Sequence, residues 1–288
     1  MKDLSINEKA YAKINLSLDI IEKLPSGMHG LESVMQTVSL FDEVFVTRES
    51  DSSGITIKCS DSSVPTDEKN TCYKAANEFF KHIGAEDFRI TIAIDKHIPS
   101  MAGLGGGSAD AAAVLRALNK LYGAGLDNDE LRAVAARIGS DVPFLIEGGC
   151  ALCSGFGEAV SPIERKSSFY ILLIKPDFGI STPMAYKQFD EKSIVSLCSS
   201  KALASALEAG DDIYELISND LERAVMSNEI QAIKLILLSN GAKAAMMTGS
   251  GSCVFGLFDS LKDVLAAFYK LRNSYRFVNP CQTVDRYE

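Results

Sequence analysis

Four glycines fall within five positions of this chain, at Gly103, Gly105, Gly106 and Gly107, and Ser108 follows them. Glycine tolerates positive φ and lets a ligand approach the backbone closely. The whole stretch reads Pro99, Ser100, Met101, Ala102, Gly103, Leu104, Gly105, Gly106, Gly107, Ser108, Ala109. It lacks the Gly-Lys-Ser/Thr of a P-loop, and Ser108 stands where the dinucleotide fingerprint needs its third glycine. A plain turn needs only one or two glycines. Binding of a phosphate-rich anion, a nucleotide triphosphate above all, is the chemistry this stretch suits.

Three further groups of residues fit phosphate chemistry. Lys13 and Asn15 are two apart and so project from one face of a strand. Phosphoryl transfer depends on positioning and on neutralising charge, and a fixed ammonium does the second; solvation is the alternative for such a lysine. Asp141, in Gly139-Ser-Asp-Val-Pro143, has two readings. It caps a short helix beginning at Pro143, or it accepts or orients the proton of an attacking hydroxyl. Thr248-Gly-Ser-Gly-Ser252 is either a hairpin turn or a nest of backbone N–H groups for an anion.

The elements around these residues follow from periodicity. Ile90, Ile92 and Ile94 alternate as on a half-buried strand, and Ala111, Val114, Leu115, Leu118 and Leu121 recur at helical spacing until Gly123. The glycine loop thus joins a strand to a helix whose first turn carries Ser108 and Asp110. That helix start offers unpaired N–H groups and the positive end of the macrodipole. A strand over 5–20 places Ile14, Leu16, Leu18 and Ile20 on one face and Lys13, Asn15, Ser17 and Asp19 on the other. Further strands are expected near 34–48 and 54–59, with helices near 70–82 and 129–138.

The second half begins with an apolar strand at 169–174. Helical patterns follow at 183–189, 201–208, 212–225 and 227–239. Paired strands at 244–247 and 254–258, a helix over 260–273 and a strand near 276–284 complete a split βαβ pattern. The expected fold is α/β in two domains, residues 1–160 around a mixed sheet and 161–288 ferredoxin-like.

The bulk properties narrow the partners. Among 288 residues, 29 basic against 38 acidic give a charge of −9, which disfavours nucleic acid as a partner. No apolar stretch approaches a membrane span, and Met1-Lys-Asp-Leu-Ser-Ile-Asn-Glu8 shows no secretory pattern. Seven scattered cysteines make no disulfide framework and suit a reducing cytoplasm. Cys150 and Cys153 form a C-x-x-C pair, but it sits in a glycine-bounded strand without further clustered ligands, so buried thiols are expected there.

Taken together, Ala12-Lys13-Ile-Asn15-Leu16, the 99–113 stretch and the 248–252 loop resemble the GHMP kinase superfamily. Tyr11-Ala-Lys-Ile-Asn-Leu-Ser-Leu18, Gly27-Met-His29, Gly139-Ser-Asp-Val-Pro143 and Ile180-Ser-Thr-Pro183 resemble one branch of it. That branch phosphorylates the 2-hydroxyl of a cytidine diphosphate-linked polyol in non-mevalonate isoprenoid synthesis. The resemblance implies ATP on the 99–109 loop, Mg²⁺ near Ser108, and Lys13 with Asp141 as the catalytic pair. It implies substrate contacts from Asn15, Thr182, Gly249 and Ser250, with His29 reading the cytosine edge and Tyr186 stacking on its ring. Met28 stands where the family usually has tyrosine. Alternatives are a kinase acting on mevalonate or homoserine, and a non-catalytic nucleotide sensor. A monomer and a homodimer are both compatible with the sequence.

Overall fold

The computed structural model describes residues 4–25, 27–49, 54–85 and 88–287. Met1 to Asp3, and Ser26 between Pro25 and Gly27, lie outside them. The first sheet is organised by one long strand, β3 (His29–Arg48). The early part of β3 pairs with β2 (Ser17–Lys23) and β6 (Cys150–Gly155), and its later part with β1 (Ser5–Asn15) and β5 (Arg89–Asp95). At its margins β4 (Gly54–Cys59) joins β5 in parallel and β7 (Ala159–Pro162) joins β6. The alternation read as one strand over 5–20 is therefore two strands. Leu16 separates them, its N–H bonding to the carbonyl of Val34 at 2.8 Å.

Four helices cover this sheet: α1 (Thr71–His82), α2 (Gly106–Tyr122), α3 (Asn128–Ala135) and α4 (Val142–Glu147). The alanines of α2 (109, 111, 112, 113 and 117) are all buried, which lets this helix lie close on β1 and β3. Asp110 is the fifth residue of α2, beyond its first turn, and α3 stops three residues short of the expected 138.

The second sheet contains β8 (Tyr170–Lys175), β10 (Ala244–Met247), β11 (Val254–Phe258) and β12 (Phe277–Gln282), in the order β10-β11-β8-β12. All its pairings are antiparallel. With α8 (Asn228–Ser239) and α9 (Leu261–Leu271) it completes the expected ferredoxin-like split βαβ unit. Helices α5 (Thr182–Lys192), α6 (Ser200–Ala209) and α7 (Asp220–Val225) precede α8.

The pattern at 212–225, read as one helix, is broken. A single 3₁₀ turn at Tyr214–Leu216 gives way to a two-residue strand, β9 (Ser218–Asn219), before α7 begins. The break serves the packing: Ser218 and Asn219 pair in parallel with Ser17 and Leu18, which ties the second half of the chain to β2.

Alternate residues of β8 face two apolar cores. Leu172 and Ile174 pack with α8 and α9, whereas Ile171 and Leu173 join the core of the first sheet. The Leu16 break divides β1 and β2 in the same way, with Ile14 and Leu16 in one core and Leu18 and Ile20 in the other. Lys13, Asn15, Ser17 and Asp19 are consequently all buried, although the sequence placed them on a polar face.

Candidate active site

A cavity of about 620 Å³ lies where the two sheets meet. The glycine loop forms one wall, from Pro99 to Gly107, and its contacts explain the glycines. A Cβ on Gly103 would stand 2.1 Å from the Thr248 carbonyl oxygen, and one on Gly105 would stand 2.9 Å from Lys13 Cγ. Both residues also have positive φ, at 74° and 70°. The first bond of α2 runs from Ala109 N–H to the Gly105 carbonyl at 2.8 Å, so the N–H groups of Gly106, Gly107 and Ser108 stand at the open helix end. No side chain caps that end. Ser108, half-buried, is not among the residues that line the cavity, and Ala109 is buried in the core.

Lys13, Asn15 and Asp141 converge against this loop. The Lys13 ammonium lies 2.6 Å from Asn15 Oδ1 and 3.2 Å from Asp141 Oδ2. The Asn15 amide in turn donates to Ser33 Oγ at 2.7 Å. Backbone bonds fix the lysine: its N–H reaches the Leu104 carbonyl at 3.0 Å, and it sits opposite Thr37 in the β1–β3 register. Asp141 occupies the N-cap position of α4, yet its side chain makes no cap hydrogen bond. Its carboxylate is turned to Lys13 instead, against the reading of Asp141 as a helix cap.

The 248–252 loop closes the cavity from the second sheet. Asn15 N–H donates to Thr248 Oγ1 at 3.0 Å, and Cys253 N–H donates to the Ala102 carbonyl at 3.1 Å. Thr182 and Ser250 share a hydroxyl hydrogen bond of 2.8 Å on the same wall, beside Gly249 and Tyr186. Two residues that sequence reasoning missed hold this loop. The Asn219 amide donates to the carbonyls of Met247 and Gly249 at 2.7 and 2.9 Å, and Glu222 accepts from Met247 N–H at 2.7 Å. Asn219 also caps α7 through its Oδ1, a role that Asn before Asp-Leu-Glu makes legible in sequence.

His29 does not line the cavity. Its ring is covered by Tyr186, with centroids 4.9 Å apart and planes 21° from parallel. Its Nε2 lies 2.8 Å from Asp190 Oδ1, and Lys23 engages the other oxygen of that carboxylate. These hydrogen bonds, the Lys23 one foremost, hold Asp190 below the ordinary carboxylate range. Asp190, four beyond Tyr186 on one face of α5, was missed because the helix expected from the sequence stopped at 189. Burial, and secondarily the Asp141 charge, pushes the Tyr186 hydroxyl up to about 12, so it stays protonated at neutral pH.

At the far end of the glycine loop the wall is made by Val64, Pro65, Lys69, Asn70, Thr71 and Lys96, none of which the sequence marked. Thr71 Oγ1 donates to the Gly107 carbonyl at 2.7 Å. Lys96 reaches both Asp42 and Asp110, the latter at 2.7 Å. Burial holds Asp110 well above the usual carboxylate range, at about 7, although Lys96 pulls the other way. Among the described residues no three His, Cys, Asp or Glu side chains converge on a metal-holding position. Cys150 and Cys153 are buried free thiols on β6, and burial pushes Cys150 up to about 12 and Cys153 higher.

Comparison with known proteins follows the same lines. Residues 70–149 match the model of the GHMP kinase N-terminal domain and residues 200–276 that of the GHMP kinase C-terminal domain. The chain is 39% identical over 283 residues to the 4-diphosphocytidyl-2-C-methyl-D-erythritol kinase of Clostridium novyi, covering 96% of this chain and 99% of that one. It is also 39% identical to the kinase of the same name from Caldanaerobacter subterraneus subsp. tengcongensis, covering 98% of each. A crystal structure of 4-(cytidine 5'-diphospho)-2C-methyl-D-erythritol kinase superposes with a TM-score of 0.80 at 29% identity, over 96% of this chain and 99% of that one. A crystal structure of L. major mevalonate kinase in complex with R-mevalonate shares the fold alone, at 18% identity and a TM-score of 0.77 over 98% and 97% of the two chains. By its sequence and its fold, the chain belongs to the GHMP kinase family.

Proposed function

We propose that this protein transfers the γ-phosphoryl group of ATP to the 2-hydroxyl of 4-diphosphocytidyl-2-C-methyl-D-erythritol. The observation that carries this reading is the convergence of Lys13, Asn15 and Asp141 beside the open end of α2. The choice of acceptor is supported by the relatives of that name, aligned over nearly the whole chain.

In this reading the triphosphate lies along the 99–107 wall, its oxygens facing the free N–H groups of Gly106, Gly107 and Ser108. The donor nucleoside extends toward Val64, Asn70 and Thr71, and the acceptor lies on the side of Lys13, Tyr186 and Ser250. Asp141 accepts a hydrogen bond from the acceptor hydroxyl, aims its oxygen at the γ-phosphorus and takes its proton as the O–P bond forms. The bond to the β-phosphate oxygen breaks and ADP leaves. Lys13, already charged and held by Asn15, meets the charge on the transferred group without having to move into place. Tyr186, backed by the His29 ring, makes the end suited to the cytosine ring.

A Mg²⁺ ion bound mostly by phosphate oxygens and water needs only one or two protein oxygens, which fits a site where, among the described residues, no three carboxylate, His or Cys side chains converge. The Ser108 hydroxyl, one residue beyond the Gly107 that lines the cavity, is the group that the family resemblance assigns to it, and the ion would supply neutralisation of triphosphate charge. In domain terms, residues 1–160 would hold the donor and the reacting pair, and 161–288 would complete the acceptor side. The test is ADP release from Mg·ATP with three acceptors in parallel. Turnover with the cytidyl polyol, and none with mevalonate or homoserine, is expected. Turnover only with mevalonate or homoserine overturns the choice of substrate.

A further inference from the structure

One extended segment, residues 283–287, crosses from the second sheet back onto the first and touches both supports of the Lys13–Asp141 pair. Leaving β12, Val284 N–H donates to the Thr37 carbonyl at 2.9 Å, and the Val284 carbonyl accepts from Gln36 Nε2 at 2.8 Å. Thr37 and Gln36 are the residues paired with Lys13 and Ile14 in the β1–β3 register. Three residues further on, Tyr287 N–H donates to the Glu147 carbonyl at 2.8 Å, at the last residue of α4. Asp141 is the N-cap residue of α4.

The Tyr287 ring anchors the crossing. It stacks on Tyr11 of β1 with centroids 5.3 Å apart, and the Arg116 guanidinium of α2 lies 4.8 Å above it. Arg116 also donates to the Leu145 carbonyl of α4 at 2.8 Å. The groove is shaped for this segment: a Cβ on Gly148 would stand 2.4 Å from Tyr287 Cζ, and one on Gly149 would stand 2.7 Å from Arg286 Cγ. The Tyr287 hydroxyl, by contrast, is buried beside Thr37 without a hydrogen bond of normal geometry, so the ring makes the close contacts of this crossing.

We infer that Tyr287 is a positioning residue, which through the end of α4 and the neighbour strand of β1 sets the separation of Asp141 from Lys13. The inference rests on the kinase reading of that pair. Misplacing a reacting group by about 1 Å costs on the order of a hundredfold in rate, whereas the phosphate wall stands at the amino end of α2, well over two turns before Arg116, where the ring touches that helix. Loss of the ring therefore lowers kcat and leaves the KM for ATP nearly unchanged.

The test compares the full chain with Tyr287→Phe, Tyr287→Ala and Tyr287→Ala combined with Asp141→Asn, all assayed well below their melting temperatures. Tyr287→Leu joins the series because it keeps apolar volume without a stacking ring, so an unstable alanine protein does not remove the comparison. The expected result is wild-type kcat for Tyr287→Phe, and a kcat at least tenfold lower for Tyr287→Ala and Tyr287→Leu with the KM for ATP within threefold. In the Asp141→Asn background, Tyr287→Ala should cause no further loss, because the group it positions is already disabled. Wild-type kcat in both ring-loss variants, or a full additional loss in the Asp141→Asn background, overturns the inference. Absence of turnover in the unmodified protein counts instead against the kinase reading beneath it.

Discussion

The Asp141 carboxylate lies 3.2 Å from the Lys13 ammonium, although one opens a short helix and the other sits near the end of a strand. Each is fixed separately. Lys13 is held through its N–H on Leu104 and its amine on Asn15, and Asp141 through an α4 that is tied to Arg116 at its far end. A pair prepared in this way neutralises charge on a transferred group without reorganising during the reaction.

Replacing Lys13 by methionine keeps the apolar stem and removes the charge. Steady-state kinetics should show kcat reduced by roughly 10²–10³-fold, the scale of losing one preorganised electrostatic group. Circular dichroism of the variant should match the parent, since Ala12 and Ile14 on either side remain buried.

The glycines of the loop divide by what surrounds them. Gly103→Ala pushes a methyl group against the Thr248 carbonyl and forces an unfavourable φ, so it should weaken ATP binding at least tenfold, measured by calorimetry. Gly123→Ala has the same kind of positive φ but open space around it. It should cost about 1 kcal/mol of stability and leave ATP affinity unchanged.

Asp190 should act on the acceptor and not on the donor. Asp190→Ala removes a charged partner of His29, and the KM for the cytidyl acceptor should rise roughly tenfold, as for one charge-assisted hydrogen bond, with the KM for ATP unaffected. The sign of its pH dependence follows from its lowered folded pKa. Its stabilising contribution is present above the unfolded value of about 4 and is lost as pH falls through the lower folded value. The parent and the variant should therefore respond to pH alike between 5 and 8 and converge in stability only in stronger acid.

Thiol chemistry checks the reading of the C-x-x-C pair. Burial raises the pKa of Cys150 and Cys153, and that of the buried Cys72, Cys253 and Cys281, whereas Cys198 is exposed. A thiol reagent at pH 8 should modify Cys198 rapidly in the native protein and reach Cys150 and Cys153 only after denaturation. Rapid paired modification of those two would point to a redox role.

The parts of this molecule that read well from sequence are those governed by local pattern. The glycine loop between β5 and α2, the β10–β11 hairpin and the split βαβ order all follow from periodicity and turn residues. Lys13 and Asn15 were correctly placed on one strand face, but their burial was not legible, because α2 and the 248–252 loop cover that face from distant parts of the chain. Asp141 carried two readings until its carboxylate was seen turned away from its own helix. The wall at Val64 and Lys96 was silent in sequence because those residues come from loops without periodicity, and Asn70 reads only as the start of a helix. Asn219 was hidden by an apolar spacing that read as one helix over 212–225, where pairing with β2 won over helical propensity.

The central claim is that Asp141 and Lys13 together carry out the transfer, and Asp141→Ala addresses it most directly. ATP affinity and turnover with the cytidyl acceptor should both be measured on that variant. The account predicts a dissociation constant for ATP within about threefold of the parent, and turnover reduced by 10²–10⁴-fold, the range for loss of a positioned proton acceptor. Turnover within tenfold of the parent would contradict it and return Asp141 to the start of α4 as a structural residue.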